Sequence, residues 1–335
     1  MAGTGHAPLR DDRDVLLTVR DLEVEFPVGR HEVVHAVSGI SFDVAEGETL
    51  GIVGESGCGK STVAKSIIRL NDIKSGSIDY QGNDLAHMEG EALRQIRPDL
   101  QMIFQDPISS LNPRRKIRDV ISEGISVWGN TKGSWSQERI EELMVAVGID
   151  PKFGERRPHQ FSGGQCQRIG IARALALDPK VLICDEPVSA LDVSVQAQVL
   201  NILEDMKARY GLTLLFISHD LSVVKNVSDR IIVMYLGKVC EIGNADELYE
   251  NPRHPYTRAL LASIPEPAPT VDVSEGDIEG ELPSPIHPPA GCRFNTRCQH
   301  ATDICFTDEP VMKQVGDSDH YLACHHPVEV ADSVV

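Results

Sequence analysis

The spacing of apolar and polar positions changes period along the chain, and each change marks an element. "LEVEFPV" (22–28) and "ISFDV" (40–44) alternate apolar and polar residues, as strands with one buried face do. "TLGIVG" (49–54) is a short apolar run ending at glycine, the pattern of a strand buried on both faces. "STVAKSIIRL" (61–70) then takes helical spacing, with Val63, Ile67 and Leu70 along one side. From about 85 to 160 the chain is polar and helical in flavour, with breaks at "SSLNP", "WGN" and "KGSW". "VLICDEP" (181–187) predicts another buried strand. The helix after it carries Val195, Val199, Ile202 and Met206 on one face and stops near Gly211. "TLLFISHD" and "RIIVMYLG" predict further strands. Strands alternating with helices imply an α/β fold with a mostly parallel sheet covered on both faces.

Between Pro265 and Gly291 the pattern breaks down into seven prolines and six acidic residues, a composition that reads as an extended linker. The 335 residues are enough for one large domain and an appendage. A net charge of −18 argues against nucleic acid as the main partner, because phosphate backbones require a basic surface. The first residues, "MAGTGHAPLRDDRD", contain no apolar core of a secretory signal. No apolar run approaches the ~18 residues that span a bilayer. The expectation is a cytosolic protein whose membrane role, if any, depends on partner subunits. In a reducing cytosol the eight cysteines are not expected to form a disulfide framework.

"GESGCGKST" (Gly54, Glu55, Ser56, Gly57, Cys58, Gly59, Lys60, Ser61, Thr62) fits the P-loop spacing and sits between a predicted strand and a predicted helix. Glycines let successive backbone N–H groups turn toward phosphate oxygens, and the helix start adds partial positive charge. Lys60 is expected to reach the β and γ phosphates and Ser61 to offer its hydroxyl to Mg²⁺. Asp185, at the end of a buried strand, is the expected metal carboxylate. Glu186 beside it is the expected group to polarise water.

"FSGGQCQR" (161–168) resembles the LSGGQ signature of ATP-binding cassette (ABC) ATPases, with phenylalanine in place of the first leucine. The resemblance implies a P-loop ABC ATPase nucleotide-binding domain: a RecA-like core with an antiparallel β subdomain and an α-helical subdomain. It also implies that Ser162, Gly163, Gly164 and Gln165 cap, in trans, the ATP on a second cassette's P-loop. "MIFQDP" resembles the Q-loop, which puts Gln105 near Mg²⁺. "SALD" resembles the D-loop, ending at Asp192, and "FISHD" places His219 as the switch histidine. The adenine-stacking group implied by the family falls at His31 or Phe26. "SSLNPRR", "CDEPVSALDVSVQAQVLNIL", "NPRHPYTRALL" and "GELPSPIHPPAGCRF" resemble the oligopeptide/dipeptide importer ATPases, F-type subunit. That likeness covers residues 15 to 328 and divides the chain into a nucleotide-binding domain (15–263, helical subdomain about 100–165), a linker (264–291) and a small Cys-rich C-terminal extension (292–328). It implies a D-type ATPase partner, two membrane permeases and an extracytoplasmic peptide-binding protein, at the cytoplasmic face of the membrane. Nickel importers share the architecture, so the cargo stays open. A soluble ABC ATPase of DNA repair or translation is disfavoured by the single cassette and the acidic charge.

Cys292, Cys298, Cys305 and Cys324 match neither the short zinc-ribbon nor the ferredoxin spacing. The family likeness implies a [4Fe–4S] cluster on these four; Zn²⁺, with His300, His325 or His326 as competing ligands, and free thiols remain alternatives. Cys58, Cys166, Cys184 and Cys240 are expected to be buried or incidental. "HPYTRAL" (254–260) is expected to pack as a helix rather than bind a ligand.

Overall fold

The computed structural model describes residues 7, 9–10, 15–128, 137–264 and 280–328. In chain order the elements begin with β1 (Val15–Val28), β2 (Glu32–Ala45), β3 (Thr49–Val53), α1 (Lys60–Ile67), β4 (Ser75–Tyr80) and β5 (Asn83–Asp84). Then follow α2 (Gly90–Ile96), β6 (Leu100–Ile103), α3 (Ile117–Ile121), α4 (Glu123–Trp128), α5 (Gln137–Ala146), α6 (Gly163–Leu175), β7 (Val181–Asp185), α7 (Val193–Tyr210) and β8 (Thr213–Ile217). The chain continues through α8 (Leu221–Val227), β9 (Arg230–Tyr235), β10 (Lys238–Asn244), α9 (Ala245–Glu250), α10 (Pro255–Ala262), α11 (Asp303–Thr307), β11 (Lys313–Gln314) and β12 (Tyr321–Leu322). These form two compact units, one of residues 1–88 with 218–335 and one of residues 89–217.

In the first unit β1 and β2 pair antiparallel and β4 and β5 extend them, in the order β2-β1-β4-β5. The alternation in the sequence is the cause: Leu17, Val19, Leu22 and Val24 are buried, and charged neighbours face out. β3 runs parallel to β9, and both are buried along their whole length. β9 turns back into β10, whose outer edge takes up β12 from the C-terminal segment through Glu241 opposite Leu322 and Ile242 opposite Tyr321. In the second unit β6, β7 and β8 form a parallel trio, with β7 and β8 buried throughout. α7 ends at Tyr210, with Gly211 at φ 61° as its left-handed cap, where the sequence predicts the stop.

Three expectations are corrected or delimited. Leu70 does not extend the face of Val63 and Ile67: α1 ends at Ile67 and Leu70 is exposed. The breaks predicted at "WGN" and "KGSW" fall largely in 129–136, outside the described residues. Residues 265–279 of the predicted linker also lie outside them, whereas 280–291 are tied to β2: the Pro285 carbonyl accepts the His35 amide at 3.0 Å.

The C-terminal segment is fixed by a small aromatic core. The Phe294 ring lies 5.2 Å from Tyr235 and 5.3 Å from Tyr256. Of the apolar residues the sequence offers here, Phe294 and Leu322 are buried, while Ile304, Phe306 and Val311 are exposed. Beneath this core the fully buried Glu241 accepts the amides of Arg253 (2.8 Å) and His254 (3.1 Å) and pairs with His320 Nε2 (2.7 Å). Burial alone would raise its carboxyl, but the bond with His320 holds it below the usual range.

Candidate functional site

The P-loop connects β3 to α1 and is built on glycine where only glycine fits. Gly54 sits at φ 147°, and a Cβ there would run into the Met234 carbonyl oxygen. Gly59 sits at φ 109° against the Ala36 carbonyl of β2. Lys60 opens α1 and is 4% exposed. Its ammonium donates to the carbonyls of Gly54 (2.6 Å) and Glu55 (2.9 Å), folding the side chain back along the loop. Ser56 and Gly57 are exposed, and Ser61 and Thr62 are half-buried in the first turn of α1. Cys58 is buried, and that burial pushes its thiol up despite the nearby Lys60. His219 is exposed one residue beyond Ser218, whose amide donates to Ile52 of β3 at 3.3 Å, so the predicted switch histidine follows a turn tied to the P-loop strand. His31 lies exposed in the turn between β1 and β2; Phe26 is 37% exposed on β1 opposite Val34.

The other predicted groups belong to the second unit. Asp185 ends β7 and is 2% exposed. Glu186 follows at φ 47°, a left-handed conformation that costs a non-glycine residue roughly 1–3 kcal/mol. Its amide bonds Ile217 (2.9 Å), which holds the turn. Gln105 Nε2 donates to Glu186 Oε2 at 2.8 Å, so two residues 81 apart in sequence meet through their side chains. Ser162 is the exposed N-cap of α6. Its hydroxyl accepts the Gln165 amide (3.3 Å), and the Gln165 side chain accepts the Ser162 amide (3.0 Å). This box leaves the N-terminal end of a 13-residue helix open to solvent, a favourable place for an anion. The predicted D-loop lies alongside. Leu191 is 3.8 Å from where a Gly163 Cβ would sit, and a Cβ on Gly164 would strike Val195. Asp192 is the exposed N-cap of α7, followed by Val193 at 81% exposure.

Several supports were not read from the sequence. Gln196 staples the D-loop turn by donating to the carbonyls of Val188 (3.1 Å) and Leu191 (3.0 Å). Tyr256 Oη accepts the Glu55 amide at 2.9 Å, and Arg297 forks onto the Glu55 carboxylate. Arg297 and Glu55 are 242 residues apart, and no periodicity joins them; the one signal was that Arg297 adjoins Cys298.

Of the four C-terminal cysteines, Cys305 is buried, and Cys292, Cys298 and Cys324 are half-buried with thiols raised from their ordinary value. Burial first, then the neighbouring cysteines, push Cys292 up to about 11 and Cys324 up to about 12. The His326 amide donates to the Cys324 sulfur at 3.4 Å, while the Asn295 amide donates to the Cys292 carbonyl at 3.0 Å. Such an N–H···S contact suits a thiolate held by a soft cation. Among the described residues, no three or more His, Cys, Asp or Glu side chains are grouped to hold a metal ion. Cys166, Cys184 and Cys240 are buried, like Cys58.

No helix among the described residues is long and apolar enough to cross a membrane. Compared with known proteins, residues 37–189 match the ABC transporter model and residues 240–305 the oligopeptide/dipeptide transporter C-terminal region. The oligopeptide transport ATP-binding protein OppF of Salmonella typhimurium is 48% identical over 94% of this chain and 97% of its own length. The oligopeptide transport ATP-binding protein AppF of Bacillus subtilis is 49% identical over 94% and 98%. Among solved structures, the ATP-binding cassette MJ0796, as a dimer in a post-hydrolysis state bound to ADP and Pi, superposes with a TM-score of 0.62 at 26% identity. The match covers 68% of this chain and 98% of the cassette. This chain belongs to the ABC transporter family: it is an ATP-binding, ATP-hydrolysing subunit of the group formed by the oligopeptide and dipeptide transport ATP-binding proteins.

Proposed function

We propose that this subunit powers import of oligopeptides or dipeptides by closing with a second cassette around ATP. The observation that carries the reading is the pair of complementary half-sites on one chain. Gly54–Thr62 forms a glycine-built loop, and the Ser162 helix start is exposed beside the D-loop with its own cap satisfied. The loop amides and Lys60 bind the phosphates of one nucleotide, while Ser162, Gly163, Gly164, Gln165 and Asp192 complete the site of the partner. Ser61, Gln105 and Asp185 are the groups that would hold Mg²⁺, which when bound neutralises phosphate charge. Glu186, oriented by Gln105, accepts the proton of the attacking water, and His219 contacts the transferring phosphoryl group. Stacking on adenine falls to His31 or Phe26.

Ile108, 58% exposed three residues after Gln105, supports a permease contact near the Q-loop, and Val193 supports burial against a second cassette. We assign the chain to the cytoplasmic face of the membrane, bound to two permeases that work with an extracytoplasmic peptide-binding protein, with a D-type ATPase as the second cassette. The names of its relatives favour peptide over nickel as cargo. The boundaries 15–263, 264–291 and 292–328 are kept as the working division, with 292–328 as a Cys-rich extension. Cys292, Cys298, Cys305 and Cys324 would hold a [4Fe–4S] cluster, with Zn²⁺ as the alternative; the His326 amide on the Cys324 sulfur supports either. A bound group there would cross-link a segment with little core of its own.

The test is Glu186→Gln in the assembled transporter. The variant should bind ATP and accumulate with its cassettes closed; normal turnover would remove Glu186 from the assigned role.

A further inference from the structure

The loop that carries the nucleotide chemistry is gripped from outside its own motif, at Glu55. The Glu55 amide donates to Tyr256 Oη at 2.9 Å, and its carbonyl accepts the Lys60 ammonium at 2.9 Å. Its carboxylate takes the Arg297 guanidinium as a fork, Nη1 at 2.6 Å and Nη2 at 3.0 Å. The Arg297 side chain is 5% exposed, and Nη1 also donates to Tyr235 Oη at 3.3 Å. The C-terminal segment thus sends a buried cation to the second residue of the phosphate loop. Leu282 lies beside the loop, its Cδ2 3.9 Å from where a Cβ on Gly57 would sit.

The chemistry of the contact is specific. A carboxylate inside a loop that binds polyphosphate is a like charge, and it opposes the anion that the loop amides attract. A bidentate guanidinium both neutralises it and fixes its direction. We infer that Arg297 is a positioning residue of the nucleotide site, supplied by the C-terminal segment, which holds the P-loop open to phosphate by taking up the charge of Glu55. This rests on reading Gly54–Thr62 as the phosphate cradle. Because Arg297 adjoins Cys298, the folding of the cysteine segment and the geometry of the cradle are linked through one side chain.

The experiment measures affinity for a fluorescent ATP analogue with Mg²⁺ on the full-length chain, and KM and kcat for ATP in the assembled transporter. Arg297→Ala should weaken analogue binding roughly tenfold or more and raise KM by a similar factor, with a smaller change in kcat. Arg297→Lys should restore part of the affinity. The double variant Arg297→Ala with Glu55→Gln should bind better than Arg297→Ala alone, because removing the carboxylate removes the need for the cation. A purely structural role does not predict that rescue. Glu309→Gln is the control. It breaks another tie of the same segment, to Lys238 at 2.8 Å, away from the loop, and should leave affinity unchanged. Unchanged affinity in Arg297→Ala overturns the inference. So does a loss that Glu55→Gln fails to relieve, or one that Glu309→Gln reproduces. Lys60→Ala tells the two levels apart. If it binds normally, the cradle reading fails and this inference with it; if it loses binding while Arg297→Ala does not, only the inference fails.

Discussion

His254 should make the stability of this chain fall as the pH drops below neutrality, and the size of the effect follows from its surroundings. The side chain is 1% exposed at the N-cap of α10, where Nδ1 accepts the Tyr256 amide at 3.0 Å. Burial pushes its imidazole down from 6.5 to about 4, although the Glu241 charge and the Ala323 carbonyl pull the other way. The folded chain therefore keeps His254 neutral where the unfolded chain takes up a proton. Its contribution is complete above pH 6.5 and is lost as the pH falls toward 4, because the unfolded state then binds more protons. The whole span corresponds to about 3 kcal/mol, of which about 2 kcal/mol disappears between pH 7 and pH 5. His254→Asn keeps an oxygen that can cap α10 but cannot titrate. Denaturant unfolding of the two full-length proteins at pH 7 and pH 5 checks this. The wild type should lose about 2 kcal/mol more than the variant. Equal losses would show that His254 does not titrate differently in the two states, and would refute the argument from burial.

Other expectations are quickly tested. Lys60→Ala should abolish measurable ATP binding in equilibrium titration, because in the proposed cradle its ammonium, held here on the Gly54 and Glu55 carbonyls, is the group that meets the phosphates. Glu186→Gln should retain ATP binding and lower steady-state turnover by roughly 10²- to 10⁴-fold, the range for a general base. Gly164→Ala should destabilise the chain by about 1–3 kcal/mol in thermal unfolding, since the new methyl meets Val195 and presses α6 against the start of α7. Metal analysis of anaerobically purified protein should give about four iron and four sulfide per chain if the [4Fe–4S] assignment holds. Zinc alone would favour the alternative, and Cys298→Ser should lower whichever is found.

The glycine-built loop between β3 and α1, the proposed phosphate cradle, was legible because close approach of backbone to phosphate demands glycine, and Gly54, Gly57 and Gly59 stand in that spacing at positive φ. The buried strands β3, β7, β8 and β9 were legible as apolar runs. β10 was not, because Glu241 interrupts its run; that carboxylate is buried only because Arg253, His254 and His320 satisfy it from distant positions. Nor was the side-chain bond between Gln105 and Glu186 visible, although both residues were named for other reasons. Leu70 was misread because helical spacing alone does not mark where α1 stops. The hold of Arg297 on Glu55 was out of reach: it joins a cysteine-rich tail to a loop near the N-terminus, brought together by tertiary contacts such as the packing of Phe294 on Tyr235 and Tyr256.

The central claim is that one nucleotide is enclosed by two polypeptides, and ATP turnover per chain as a function of assembly tests it most directly. Hydrolysis should be negligible where sedimentation shows only single chains, and should rise as a second cassette joins. A strictly monomeric preparation that hydrolyses ATP as fast as the assembled transporter would contradict the account.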